Sequence, residues 1–313
     1  MILLSLLAIA TAGAADPAPA PIVAPQVRPA VNPLAVQFDL ASKATGRTYR
    51  ISVAKPAGAP PAGGWPVVYV LDADIAFATV AAQNMLRAAY GEAGAVIVGV
   101  GYSDPVAALT LRNRDLTPTA PTEAGAKLGM LGAVKPGDYG GGAEFRRFLT
   151  AELRPAIAAL APVDRTAQTL IGYSYGGLFA LDTLFTDPAA FGTYVIGSPS
   201  IWWNEREILA KERGFTERVR SAAAAPRVLI TSGELEQDPG AVRLPSDPAQ
   251  RAATIDIMNR QKMVDSARDL AARLRTIAGR PGYRVEYVVF AGETHLTGIP
   301  AAVSRGLDFA MRR

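Results

Sequence analysis

From residue 36 to residue 290 the chain alternates short apolar runs, many of them β-branched, with longer stretches in which apolar positions recur at helical spacing. The short runs at 36–40, 49–53, 65–71, 95–101, 169–172, 193–197, 227–231 and 284–290 predict eight strands. Those in the middle are apolar throughout, as expected for strands covered on both faces. Residues 144–160 place Phe145, Phe148, Leu149, Leu153, Ile157 and Leu160 on one stripe and predict a helix. Residues 257–278 do the same through Val264, Ala267, Ala271, Leu274 and Ile277, and 300–313 predict a closing helix. The first strands read as an antiparallel hairpin, and the later strand–helix alternation reads as a parallel sheet. The predicted class is therefore α/β, a mostly parallel central sheet with helices on both faces. Two stretches rich in Gly, Pro and Asp, 102–142 and 234–254, predict long loops. In such a sheet these gather at the carboxyl ends of the strands, where ligands bind.

The first residues follow neither pattern. Residues 2–10 form an apolar run, ILLSLLAIA, followed by the small residues TAGAA. The run is too short to span a bilayer, so no transmembrane span is expected here. It reads as a signal peptide over 1–15 with a cleavage site near Ala14, although no Lys or Arg precedes Arg28. The reading implies a periplasmic or secreted protein. Residues 16–33 contain six prolines in eighteen positions, which excludes a continuous helix or strand and predicts an extended linker. One catalytic domain is expected over 34–313.

Composition narrows the chemistry. Half of the 313 residues are hydrophobic, enough for a substantial core. The formal net charge of +4 is spread along the chain rather than gathered into a basic run, so no nucleic-acid partner is implied. Cysteine is absent and His295 is the single histidine. Disulfides, thiolate metal sites, a cysteine nucleophile and a histidine-rich metal site are thereby excluded. Any mechanism that uses an imidazole uses His295.

Residues 168–178, QTLIGYSYGGL, contain Gly-x-Ser-x-Gly as Gly172, Ser174 and Gly176. A strand-like run precedes the motif and a helix-like run follows it. That is the setting in which such a serine stands on a sharp strand-to-helix turn with its hydroxyl above the sheet. The next backbone N–H, that of Tyr175, then faces a developing oxyanion. His295 lies C-terminal to Ser174, between the last strand and the last helix, where a general base belongs in the order serine, acid, histidine. The acid is sought between them. Glu234, Glu236 and Asp238 follow the strand at 227–231, and the Gly233-x-x-Glu236 turn favours Glu236, with Glu234 next. The competing reading is that these are solvated loop carboxylates, which must hold for at least two of the three.

With these residues in place the chain resembles the putative-esterase branch of the α/β-hydrolases, which includes enterochelin, bacillibactin and esterase-D-like enzymes. The resemblance covers most of the chain from about Val36. It rests on VVYVLDADIAF (67–77), LRNRDLTPT (111–119), LIGYSYGGLFAL (170–181), GSPSIWWN (197–204), SGELEQ (232–237) and GETHLTGIP (292–300). It implies the α/β-hydrolase fold and further site residues. The loop containing LDAD would supply a second oxyanion N–H from Asp74, with Ala73 standing where glycine is common. Trp202 and Trp203 would wall the substrate cleft or pack in the core. Arg112 and Arg114 would orient an anionic group or pin their loop through Asp115.

The resemblance also implies a substrate class, the ester links of catechol trilactones, so a small-molecule ester and a ferric siderophore are the expected partners. The reaction would be acyl transfer to Ser174 and then to water, with no metal or organic cofactor. General acyl, feruloyl or acetyl esterases, an acyltransferase on the same fold, and a non-catalytic binding protein are the alternatives.

Overall fold

The computed structural model describes residues 35–129, 135 and 137–312. The leader and linker expected at 1–15 and 16–33 lie outside the described residues. β1 (Ala35–Ala41) and β2 (Thr48–Ala54) form the expected hairpin, and β2 runs antiparallel to β4 (Val96–Tyr102). β4, β3 (Trp65–Leu71), β5 (Val163–Tyr173), β6 (Thr193–Gly197), β7 (Arg227–Gly233) and β8 (Arg284–Phe290) run parallel. The eight strands make one sheet in the order β1-β2-β4-β3-β5-β6-β7-β8.

Helices fill the connections. α1 (Ala73–Ala89) joins β3 to β4. α2 (Ala108–Leu116), α3 (Glu123–Leu128), α4 (Gly142–Arg147) and α5 (Arg154–Leu160) lie between β4 and β5, and α6 (Tyr175–Thr186) follows β5. α7 (Trp203–Arg206) and α8 (Glu212–Arg220) follow β6, α9 (Pro248–Gln261) and α10 (Met263–Arg275) follow β7, and α11 (Gly298–Met311) closes the fold. From β3 the chain steps to β4 on one side and then returns past β3 to β5 on the other. Right-handed crossovers in opposite directions place their helices on opposite faces. Accordingly Val80 and Ala81 of α1 pack with Val303 and Leu307 of α11 over Val70, Ile97, Ile171 and Val195. Helices α4, α5, α6, α8 and α10 bury Phe145, Ile157, Leu181, Phe215 and Leu270 against the other face. Each such fully buried side chain contributes roughly 1.5–3 kcal/mol relative to exposure. The reversal of strand order leaves a crevice at the carboxyl ends of β3 and β5.

Several elements differ from expectation for local reasons. The helix expected over 144–160 forms as α4 and α5 joined by a π-helical stretch, Phe148–Leu153. Pro155 lies two residues past its end, and a proline lacks the N–H that an α-turn needs. The helix expected over 257–278 is two helices, because Lys262 takes a left-handed conformation at φ 50° between α9 and α10. The stretch expected as a loop at 102–142 carries α2 and α3, and α9 already begins at Pro248.

Helix α2 is anchored by a buried carboxylate. Asp115 is fully enclosed, accepts a 2.8 Å hydrogen bond from the Tyr49 hydroxyl on β2, and lies 3.8 Å from the Arg47 guanidinium. Burial pushes its pKa from 3.8 up to about 6, against the lowering effect of Tyr49 and Arg47. The folded protein therefore keeps this proton to higher pH than the unfolded chain. The contribution of Asp115 is most favourable below about pH 4 and is lost as pH rises through about 6. Urea unfolding of wild type and Asp115→Asn should show the variant gaining roughly 2–3 kcal/mol relative to wild type between pH 4 and pH 7.5. A stability difference that does not move with pH would contradict the raised pKa.

Candidate active site

The turn after β5 puts Ser174 at φ 59° and ψ −118°, outside the regions open to most side chains. Gly172 permits it: a Cβ there would stand 2.0 Å from the Gly176 carbonyl oxygen. The strained residue is tied on both sides, with the Ser174 N–H donating to the Gly197 carbonyl at 2.9 Å and the Ser200 N–H donating to the Ser174 carbonyl at 3.3 Å. Tyr175 is the first residue of α6, and a first-turn N–H has no partner within its own helix.

His295 follows β8. Its Nε2 lies 3.0 Å from Ser174 Oγ and its Nδ1 lies 2.8 Å from Glu236 Oε2. The Tyr173 hydroxyl donates to the His295 carbonyl oxygen at 2.9 Å and fixes the backbone that carries the ring. The Glu236 side chain has no solvent exposure, whereas that of His295 is 37% exposed. The second oxygen of Glu236 accepts from the Ser198 hydroxyl at 2.5 Å and from the Gly233 N–H at 2.6 Å. A buried carboxylate with both oxygens engaged can hold one imidazole tautomer and stabilise the imidazolium. The other two candidates serve the loop. Glu234 is exposed and accepts from the Gly292 N–H, and Asp238 is exposed and caps a short turn through the Gly240 N–H. Sequence reading missed Ser198, although the GSPS segment contains it.

A cavity of about 220 Å³ opens beside Ser174 and His295. Its walls are mostly apolar, with Ile75 and Ala76 from α1, Ile171 from β5, and Ile299 and Val303 from α11. From the β3–α1 turn the cavity takes Leu71 and Asp72. Asp74 is exposed, and its carboxylate lies by Gly101 instead. A larger cavity of about 610 Å³ lies among α3, α7, α9 and α10 and holds neither Ser174 nor His295. Three of its four arginines meet carboxylates, Arg268 at Asp265 and Asp269, Arg273 at Glu212 and Arg260 at Asp256, and Arg206 donates to the Arg260 carbonyl.

The tryptophans and Arg114 fall elsewhere than the wall of this cavity. Trp203 is fully buried and meets the Tyr175 ring edge-on at 5.4 Å, and Trp202 is 6% exposed, 6.0 Å from the same ring. Neither lines the cavity at Ser174; they pack behind Tyr175, because residues 204–206 turn the chain away. Asn204, Glu205 and Arg206 are all left-handed, at φ 43°, 55° and 68°. The buried Asn204 amide holds this turn, donating to Thr119 Oγ1 and the Ala120 carbonyl and accepting from the Thr122 N–H. Arg112 does line the cavity, but its fork is occupied by Asp72, with Nε at 2.7 Å from Oδ1 and a terminal nitrogen at 2.9 Å from Oδ2. Arg114 donates to the Gly137 carbonyl at 3.2 Å. Asp115 is bonded by Tyr49, so neither arginine pins the loop through it in the way expected.

The profile of the Putative esterase family matches residues 42–261. The chain belongs to that family. It is 36% identical over 277 residues to the ferri-bacillibactin esterase BesA of Bacillus subtilis (strain 168), covering 87% of this chain and 88% of that protein. It is 33% identical over 253 residues to the siderophore triacetylfusarinine C esterase of Aspergillus fumigatus, covering 78% and 81%. Among solved structures it resembles the BES protein from Bacillus cereus, with a TM-score of 0.75 at 31% identity over 92% of this chain and 98% of that one. The siderophore hydrolase EstA from Aspergillus nidulans superposes with the same TM-score at 28% identity, over 91% and 99%. The chain is thus an esterase-family member on the α/β-hydrolase fold read from its sequence. Among the described residues no group of three or more His, Asp or Glu side chains could hold a metal ion, and no helix is long and apolar enough to cross a membrane.

The carboxylates differ enough in burial to be separated by mutation. Glu236→Gln should lower kcat on a p-nitrophenyl ester by roughly 10³–10⁴-fold. Glu234→Gln and Asp238→Asn should stay within about threefold of wild type, as exposed surface groups do. A severe Glu234→Gln beside a mild Glu236→Gln would reverse the assignment.

Proposed function

We propose that the protein is an exported serine esterase that hydrolyses siderophore-type esters, with Ser174 as nucleophile, His295 as general base and Glu236 as the acid that orients it. The observation that carries this reading is the hydrogen-bonded chain Glu236–His295–Ser174, which runs from a buried carboxylate to a hydroxyl at a cavity wall. Nδ1–H of His295 donates to Glu236, leaving the Nε2 lone pair to accept the Ser174 proton as Oγ attacks the ester carbonyl. The carbonyl oxygen becomes an oxyanion facing the Tyr175 amide and the backbone of the β3–α1 turn. Collapse expels the alcohol, which takes the proton from Nε2. Water then repeats the two steps on the acyl-serine and releases the acid.

Siderophore esters are favoured by the relatives, two of which are named for bacillibactin and triacetylfusarinine C. The size of the cavity agrees with part of such a molecule. At about 220 Å³ it is smaller than the about 300–1,000 Å³ that encloses a drug-sized ligand, so it seats one aryl or acyl arm and leaves the chelate outside. Export is supported by the apolar run and small residues before Asp16 and implies a periplasmic or secreted enzyme.

The test is hydrolysis of a p-nitrophenyl ester panel and of a ferric catechol trilactone by wild type and Ser174→Ala. Serine-dependent turnover favouring the trilactone supports the proposal, with a loss of roughly 10⁴-fold or more in the variant. Turnover of simple esters alone would reject the siderophore substrate. Activity that survives Ser174→Ala would reject the nucleophile.

A further inference from the structure

The Asp72–Arg112 pair stands at the wall of the Ser174 cavity and takes no part in the proton chain just described. Asp72 follows β3, sits at φ 53°, and its carbonyl receives the Ile75 and Ala76 amides that start α1. Its carboxylate faces the first turn of α6, since a Cβ on Gly176 would lie 3.4 Å from Oδ2. An ionised carboxylate beside the cavity of a serine esterase opposes the charge that the reaction creates on the carbonyl oxygen. Arg112 answers it with a two-pronged ion pair in which the side chains are only 21% and 12% exposed. The same guanidinium lies 5.5 Å from the centre of the Tyr175 ring, within cation–π range. One side chain from α2 therefore grips both turns that border the oxyanion: the β3–α1 turn through Asp72 and the nucleophile turn through Tyr175.

We propose that Arg112 is a positioning residue for the acyl-transfer step: it braces the two oxyanion-forming turns against each other and cancels the Asp72 charge, rather than binding an anionic group of the substrate. The inference rests on the serine-esterase reading. A planar fork is needed to meet both carboxylate oxygens at once, so lysine is a poor substitute. With the fork spent on Asp72, a substrate anion would have to break a half-buried pair to reach it.

The experiment is a double-mutant cycle on p-nitrophenyl acetate, a neutral ester, with Arg112→Gln, Asp72→Asn, the double variant and Arg112→Lys. Circular dichroism and thermal unfolding on each would confirm a folded chain. Arg112→Gln should lower kcat about 100-fold with KM within about threefold, the size of effect seen when oxyanion donors are lost or displaced. Asp72→Asn should lose less than about tenfold, and adding it to Arg112→Gln should restore at least about tenfold, because the uncompensated charge is gone. Arg112→Lys should recover part of the loss by charge while lacking the fork.

Two results would overturn the proposal. One is an Arg112→Gln kcat equal to wild type on the neutral ester, with KM raised only for anionic esters, which would assign Arg112 to substrate binding. The other is strict additivity of Asp72→Asn and Arg112→Gln. Were Arg112→Gln unable to fold, the Asp72→Asn and Arg112→Lys variants would still decide: both at wild-type kcat would overturn the brace. Activity that survives Ser174→Ala would instead sink the serine reading, and that control is run alongside.

Discussion

The backbone of one residue sets the terms for the rest of the site. Ser174 occupies a conformation that costs energy in isolation, of order 1–3 kcal/mol, and persists because its surroundings leave no alternative. Gly172 lets the following turn fold back without a collision, and the Gly197 carbonyl at the end of β6 and the Ser200 amide just beyond it hold the residue. These contacts come from the parallel pairing of β5 with β6, which places Gly172 opposite Ile196 and Tyr173 opposite Gly197. The strain is therefore met by the hydrogen-bonded sheet.

From that point the site is organised as a gradient of solvation. Glu236 is sealed, with one oxygen satisfied by Ser198 and Gly233; His295 is partly open; and Ser174 borders a cavity. The Glu236 carboxyl is held by hydrogen bonds rather than by water. The opposite side of the serine repeats the principle with the Asp72–Arg112 pair, whose charges cancel within a half-buried setting. Aromatic packing of Trp202 and Trp203 stiffens Tyr175 from behind.

The sheet was legible because its central strands are apolar on both faces, and all eight appear within a few residues of where periodicity predicts them, save that β5 begins earlier, at Val163. That Ser174, His295 and Glu236 come together was legible because local turn chemistry and chain order constrain each. The fates of Trp202, Trp203, Arg112 and Arg114 were not, since they depend on partners distant in sequence. Asp72 lies 40 positions from Arg112, and Thr119 lies 85 from Asn204. The left-handed run at 204–206 has no glycine to announce it, and the break at Lys262 lies inside a continuous helical pattern. Ser198 was read as part of a motif rather than as a donor, because only the folded turn brings it to Glu236.

The crevice at the strand reversal draws its parts from separate sources. Ser174, Glu236 and His295 hang from the ends of β5, β7 and β8, whereas Ile75, Ile299 and Val303 belong to the first two turns of α1 and α11. A substitution on those helices reshapes the cavity while leaving the Glu236–His295–Ser174 hydrogen bonds untouched. Chemistry and selectivity are thus inherited on different segments of the chain, and a descendant can change its diet without relearning its reaction.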